Sequence, residues 1–250
     1  MQRILITGAN RGIGYSMTQQ LLEDGHQVCV LDIETESIGA LKQQYQERLL
    51  TYTCDITDTK CVEASVEAMQ RIFGGVEIGI HNACLCTFES FEASSLETFN
   101  RVMDVNFLGA VQLTKAVLPA MKAAGQGRVI YLSSGVGVTG FSNISPYAAS
   151  KGAIEALAKC MRLEYAGTGI SFHLMHPPLT KTISASRLSV PEQMKADPEL
   201  VGRGLARQVL SKQFVITHSA GQAAQIWASY RMPLSIGKMM DTASKRFGKA

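Results

Sequence analysis

Short, nearly unbroken apolar runs recur along the chain, and between them the apolar residues fall three and four positions apart. The runs are Arg3–Thr7, Gln27–Asp32, Leu49–Thr53, Val76–His81, Arg128–Leu132 and Ile170–Met175. An unbroken apolar run of this length is the mark of a parallel strand covered on both faces. The intervening stretches read as helices. One carries Tyr15, Met17, Leu21 and Leu22 and closes at Gly25; another covers roughly residues 36–46. A third runs to about Ile72 and is broken by Gly74-Gly75, and a long amphipathic stretch extends from Leu96 to Ala124. A fifth holds Ala153, Ile154, Ala156, Leu157 and Met161. With a last short strand at Gln213–Thr217, the alternation predicts an α/β fold: a doubly wound parallel sheet of about seven strands with helices on both faces. No Pro/Gly/Ser-rich linker, repeat or low-complexity segment divides the chain, so residues 1–250 are read as a single domain.

Composition narrows the picture by exclusion. The hydrophobic fraction of 46% supports a large core. A net charge of +3, without basic blocks interleaved with aromatics, gives no support for nucleic-acid binding. The six cysteines fit neither a disulfide framework nor a zinc site, and Cys84-x-Cys86 has no CxxC-type partner, so no metal is expected. The chain enters an apolar run directly after Met1-Gln2-Arg3, without a signal-peptide pattern, and a cytoplasmic protein is expected.

Two stretches carry chemistry. The first strand runs into Gly8-Ala9-Asn10-Arg11-Gly12-Ile13-Gly14 and then a helix. Glycines there permit tight turning, and the free N–H groups at a helix start suit a pyrophosphate. Asp32 ends the second strand 18 positions after Gly14, where a carboxylate accepts from the adenosine ribose. A 2′-phosphate about 4 Å from it would be repelled by about 4 kcal/mol at an effective dielectric near 20. Arg11 pulls the other way by roughly 1.5–3 kcal/mol. The carboxylate wins, which favours NAD over NADP. Asp55, past the third strand, is a candidate partner for adenine; its alternative, shared with Asp58, is to cap the next helix.

The second stretch is Tyr147-Ala148-Ala149-Ser150-Lys151, preceded by Ser145-Pro146. Pro suits a first helical turn and Ser145 is the expected N-cap. Tyr147 and Lys151 then lie one turn apart on one face. Bringing a phenol from a pKa of about 10 to near neutrality takes roughly 4 kcal/mol, and a fixed cation nearby supplies part of that. Asn106 falls inside the 96–124 stretch, where Asn is a poor helix former and marks a kink or a held water.

Taken together, Thr7-Gly8-x-x-x-Gly12-Ile13-Gly14, Asp32, Asp55, Asn82-Ala83, Asn106, Ser134 and Tyr147-x-x-x-Lys151 resemble the short-chain dehydrogenase/reductase family over roughly residues 3–182. Ser134 stands 13 residues before Tyr147, the family spacing, which selects it over Ser133. The resemblance implies a Rossmann-like fold and an NAD(P)-dependent oxidoreductase acting on a secondary alcohol or ketone. It implies Tyr147 as acid/base, Ser134 holding the substrate oxygen, Lys151 lowering the Tyr147 pKa and holding the nicotinamide ribose, and Asn106 binding a relay water. It places Thr182 at the carboxamide and implies a homodimer or homotetramer paired through helices 96–124 and 147–166.

The sequence departs from the family at Cys84, where a glycine is usual, and at Pro177-Pro178, where Pro-Gly is usual. It departs most at the C-terminus. Residues 179–212 are read as a substrate lid. Residues 219–250 are read as a helical tail, with Ile226, Trp227, Tyr230, Met239 and Phe247 beside Arg231, Lys238, Lys245, Arg246 and Lys249. Three readings of the tail stand: packing on the domain, covering a substrate pocket or dimer contact, or peripheral membrane contact. Such a tail resembles that of members acting on steroids, retinoids or long-chain alcohols, which implies a lipophilic substrate. Two rival readings are an NADPH-dependent carbonyl reductase and a catalytically silent dinucleotide sensor.

Overall fold

A computed structural model describes residues 1–186, 188 and 190–247. Lys249, and the side chain of Phe247, lie outside the described residues. The strands are β1 (Arg3–Thr7), β2 (Gln27–Asp32), β3 (Leu49–Thr53), β4 (Ile78–His81), β5 (Gly127–Leu132), β6 (Ile170–Met175) and β7 (Val215–Ile216). They form one parallel sheet in the order β3-β2-β1-β4-β5-β6-β7, a Rossmann-like doubly wound fold. The order reverses between β1 and β4, and a ligand crevice opens at the carboxyl ends of strands at such a reversal.

The unbroken apolar strands follow from burial on both faces. Ile4, Ile6, Val28, Val30, Ile80 and Ile130 face one core, filled by Met17, Leu21 and Leu22 of α1 (Gly12–Glu23) and by Val201 and Leu205 of α8 (Pro198–Ala206). Leu5, Cys29, Leu31, Val129, Tyr131 and Phe172 face the other. There they meet α3 (Thr59–Phe73), α5 (Gly109–Ala124) and α7 (Ser145–Glu164). The remaining helices are α2 (Gly39–Tyr45), α4 (Leu96–Met103), α6 (Val136–Thr139), α9 (Ala220–Arg231) and α10 (Pro233–Phe247).

Several boundaries differ from the sequence reading. Val76 is buried but outside the sheet, whose fourth strand begins at Ile78. The strand expected at 213–217 pairs only through Val215 and Ile216. Helix α7 begins at Ser145 itself after Ile144, and the Ser145 hydroxyl is buried with no partner among the described residues; it is not the cap. Asp58 does cap α3, accepting from the N–H groups of Lys60 and Cys61, and Gly74 closes that helix at φ 82°. Within the 179–212 stretch, α8 is part of the fold, because Gly202 sits so close to α1 that a Cβ would lie 2.7 Å from Ile13 O. No described helix is long and apolar enough to cross a membrane.

Candidate active site

The loop after β1 is shaped by contacts that exclude side chains. Gly8 has φ +67°, and a Cβ there would lie 2.5 Å from the Ala83 Cα; one on Gly14 would overlap the Gly8 carbonyl oxygen. Asn82 Nδ2 donates to Thr7 O and Gly8 O. Thus Gly8, Gly14, Asn82 and Ala83 interlock at the sheet reversal. Thr182 joins them from the far side, its Cγ2 3.2 Å from where a Gly12 Cβ would be. After Pro177-Pro178 the path to Thr182 is held by local bonds: Thr180 Oγ1 donates to Pro178 O and Thr182 N to Thr180 O.

Helix α1 starts without a side-chain cap and without an acidic residue in its first turn. Its leading N–H groups are therefore a fit for a pyrophosphate. Asn10 is buried, its Oδ1 accepting from Ser37 N and Ile38 N. Asp32 Oδ2 accepts from Asn10 N at 2.8 Å, which fixes the carboxylate against the loop. Arg11 is exposed and leans to Glu34, 3.7 Å away. Asp55 Oδ1 accepts from Thr57 N and Thr57 Oγ1, ordering the turn before α3.

Asn106 is wholly buried in a single wide turn, 104–108, between α4 and α5. A turn of this kind is a recurrent kink in a helix at functional positions. Asn106 Oδ1 accepts from Leu85 N (2.7 Å), while its Nδ2 donates to Leu85 O and to Ser150 Oγ (both 2.9 Å). Ser150 Oγ in turn donates to Tyr147 O. The kink thus links the loop after β4 to the first turn of α7.

Tyr147 is half-buried, and α7 and the end of β5 bring it near enough to Ser134 for that hydroxyl to act on the phenol. Lys151, 2% exposed, donates from Nζ to Leu132 O at 2.7 Å, and its ammonium lies 5.8 Å from the Tyr147 ring centre. The phenol is nevertheless pushed well above its ordinary range, first by burial and then by Cys86 and Cys84; the Ser134 hydroxyl works in the other direction.

Three features escaped the sequence reading. His81 is fully buried, with Nε2 3.0 Å from Asn106 O and Nδ1 3.2 Å from Thr7 Oγ1. Because Asn106 O can only accept, Nε2 carries the proton and Nδ1 accepts from Thr7. The Thr7 hydroxyl then accepts from Asn82 N and Ala83 N. Burial, then Lys151, hold the His81 pKa down to about 3, so the ring stays neutral. Only the position of His81 beside Asn82-Ala83 marked it.

The second feature is a buried carboxylate. Glu155, one turn beyond Lys151, accepts from Ser133 Oγ and from Tyr230 Oη (2.5 Å), and its Oε1 is 2.9 Å from His176 Nε2. Burial raises the Glu155 pKa, but His176, Ser133 and Tyr230 outweigh it and leave the carboxyl below its usual value. The third is where the tail packs; that it packs on the domain is one of the readings the sequence leaves open. In α10, a Cβ on Gly237 would lie 2.8 Å from Gly140 O, and Asp241 accepts from the Ser142 N–H and hydroxyl. Both ends of the segment after Ser134 are therefore held by the tail. A cleft of about 600 Å³ between α10 and the segment before α8 is lined by Met194, Lys238, Met239 and Arg246 among others, and by none of Ser134, Tyr147 or Lys151.

The family model of short chain dehydrogenases matches residues 2–193. The chain belongs to the short-chain dehydrogenase family. A cyclohexanol dehydrogenase from Acinetobacter is 32% identical over 203 residues, covering 80% of each chain. A 2-(R)-hydroxypropyl-CoM dehydrogenase from Xanthobacter autotrophicus is 29% identical over 201 residues, covering 77% of this chain and 80% of that one. A short-chain dehydrogenase from Streptomyces avermitilis shares the fold, with a TM-score of 0.81 over 92% of both chains at 23% identity. This short-chain dehydrogenase is therefore an oxidoreductase of CH–OH groups that uses NAD or NADP.

Proposed function

We propose that this short-chain dehydrogenase interconverts a lipophilic secondary alcohol and its ketone, with NAD(H) preferred to NADP(H). The observation that carries the reading is the convergence of Ser134, Tyr147 and Lys151 at the carboxyl edge of β5, which only β4 separates from the strand of the glycine loop. When bound, the nicotinamide supplies or takes up the hydride. Gly8, Asn10, Arg11, Gly12, Ile13, Gly14, Asp32, Asp55, Asn82, Ala83, Tyr147, Lys151 and Thr182 are the residues that would hold the dinucleotide.

The protein's own part is proton transfer and orientation. Tyr147 Oη donates its proton to the ketone oxygen, and takes it back from the alcohol in the reverse direction. Ser134 hydrogen-bonds the same oxygen and fixes its approach. Asn106 positions rather than reacts: its side chain is engaged by Leu85 and Ser150, so a relay water meets the backbone of the wide turn rather than that amide. Lys151 contributes the protons of its ammonium beyond the one given to Leu132 O.

NAD is supported by the charges at the loop edge. Asp32 is pinned there, and Arg11 is drawn to Glu34, so two carboxylates stand beside one exposed guanidinium. A lipophilic substrate is supported by exposed apolar side chains on the lid stretch and tail, including Ile183, Met194, Trp227 and Met239. With α8 part of the core, the proposed lid narrows to residues 179–197. A homo-oligomer remains part of this reading, on the family resemblance.

The test is turnover of a panel of secondary alcohols and ketones by wild type and Tyr147→Phe, with NADH binding followed by nicotinamide fluorescence. Loss of turnover by about two to four orders of magnitude with unchanged binding is expected, the usual worth of a positioned acid/base. Undiminished turnover in the variant refutes the assignment. NADH binding by a wild type that turns over nothing on the panel favours the silent sensor.

A further inference from the structure

Cys84 and Cys86 stand on the loop after β4 with their sulfur atoms 3.8 Å apart, separated only by Leu85. Both stand at the candidate active site, near enough to Lys151 and Tyr147 for those two groups to bear on their ionisation. We propose that this pair is a redox modification site, at which a peroxide converts the two thiols to a Cys84–Cys86 disulfide that disables the Asn106 clamp.

The chemistry balances without a further reactant. The Cys84 thiolate attacks one peroxide oxygen, breaking the O–O bond and forming a sulfenic acid. The Cys86 sulfur then attacks the Cys84 sulfur, forming the S–S bond and expelling the hydroxyl. The dithiol loses two electrons and two protons, and hydrogen peroxide leaves as two waters.

Three observations select this pair over the other cysteines. The first is separation: bonding at about 2.05 Å requires the sulfurs to close by less than the radius of a methyl group. The second is ionisation. The Cys86 hydrogen bond, then the Lys151 charge, bring the first proton of the pair down to about 6, against burial, while the second thiol is held well above its ordinary value. By contrast, burial pushes Cys54 up to about 12 and Cys29 higher still. The third is consequence. The N–H and C=O of Leu85, between the two cysteines, are both bonded to the Asn106 amide. Contracting the loop around Leu85 strains those two bonds, and through Ser150 the strain reaches the first turn of α7. Formation of the disulfide is independent of the proposed reaction; its effect on turnover rests on that reading.

The experiment exposes full-length protein to hydrogen peroxide, alkylates the remaining thiols and digests with trypsin. The peptide 72–101 contains Cys84 and Cys86 and no other cysteine. The expected product is that peptide lighter by two hydrogens and alkylated at neither cysteine, restored by dithiothreitol. Backbone amide exchange across 102–110 should quicken in the oxidised form. Turnover should fall by about two orders of magnitude, the cost of an ångström-scale misplacement, and return on reduction. In Cys86→Ser the two-hydrogen loss and the quickened exchange disappear. A peptide 72–101 alkylated twice after peroxide has oxidised the exposed Cys160 overturns the proposal. So does a Cys84 sulfinic acid without the disulfide, or a disulfide that leaves exchange across 102–110 unchanged. The mass and exchange readouts decide even where no alcohol on the panel is turned over.

Discussion

Replacing Glu155 by Gln tests whether the buried carboxylate holds the C-terminal tail and the Ser134 segment together. Three groups converge on it: the Ser133 and Tyr230 hydroxyls and His176 Nε2. The amide of Gln keeps the shape but has one acceptor oxygen where the carboxylate has two, and it presents its own donors to the site. Bonds to a charged acceptor are worth about 1.5–3 kcal/mol each, and a stranded buried donor costs about 1–3 kcal/mol. Rotation of the hydroxyls recovers part of this, so the expected loss is about 3–5 kcal/mol, the range for breaking a buried pair. For a chain of this size that lowers Tm by about 6–20 °C.

The pH dependence gives an independent reading. The folded-state pKa of Glu155 is lowered, so its contribution is fully present above the unfolded value of about 4.3 and is lost as pH falls through the folded one. Urea unfolding of wild type and Glu155→Gln from pH 7 to pH 3 should show a gap that is wide at neutrality and narrows in acid, by up to about 1.8 kcal/mol at pH 3. Tyr230→Phe removes one of the three bonds and should lie between them. A gap below about 0.5 kcal/mol at pH 7, the level of a surface substitution, refutes the reasoning, and so does a gap that persists unchanged at pH 3.

Asp32→Ala should bring the affinities for NADH and NADPH together by up to about three orders of magnitude, from a repulsion of about 4 kcal/mol, as read by parallel fluorescence titrations. NADPH binding that does not tighten would place the discrimination elsewhere. Gly14→Ala forces a methyl onto the Gly8 carbonyl and within 2.5 Å of Asn82 Nδ2; overpacking of this kind costs about 1–3 kcal/mol, and calorimetry should show it alongside loss of dinucleotide binding. Asp58→Ala removes the α3 cap and should cost about 1 kcal/mol without altering cofactor affinity, which separates it from Asp55 on the same turn.

The parts legible in the sequence are those where a local rule and the tertiary contact coincide. The glycine loop is one: the same absence of Cβ that permits φ +67° at Gly8 permits the approach of Ala83. The unbroken apolar strands are another, since burial on both faces leaves a direct trace in composition. Asn106 was visible as an unfavourable helical residue, but its partners, Leu85 and Ser150, are 21 and 44 positions away and leave no local pattern. Glu155 was invisible for the same reason. Set between Ile154 and Ala156 in a helix, it has the appearance of an ordinary surface charge until His176 and Tyr230 are brought to it. The Ser145 cap was misplaced because the helix starts at Ser145 itself, so its hydroxyl lies within the first turn.

The segment after β5 shows why the tail belongs to the site rather than beside it. Ser134 has the freedom of a loop residue unless something outside the loop fixes it, and the role proposed for its hydroxyl, meeting a substrate oxygen, needs it held to a fraction of an ångström. Its neighbour Ser133 is fixed by Glu155, which is itself bonded to Tyr230 of α9. At the other end, Gly140 is covered by Gly237 and Ser142 is bonded to Asp241, both of α10. Three residues that anchor the Ser134 segment, Tyr230, Gly237 and Asp241, therefore come from the last quarter of the chain, beyond the 2–193 stretch that the family shares. On the proposed reading, the shared stretch supplies the reacting groups. How firmly Ser134 is presented is a property of this chain's own C-terminus.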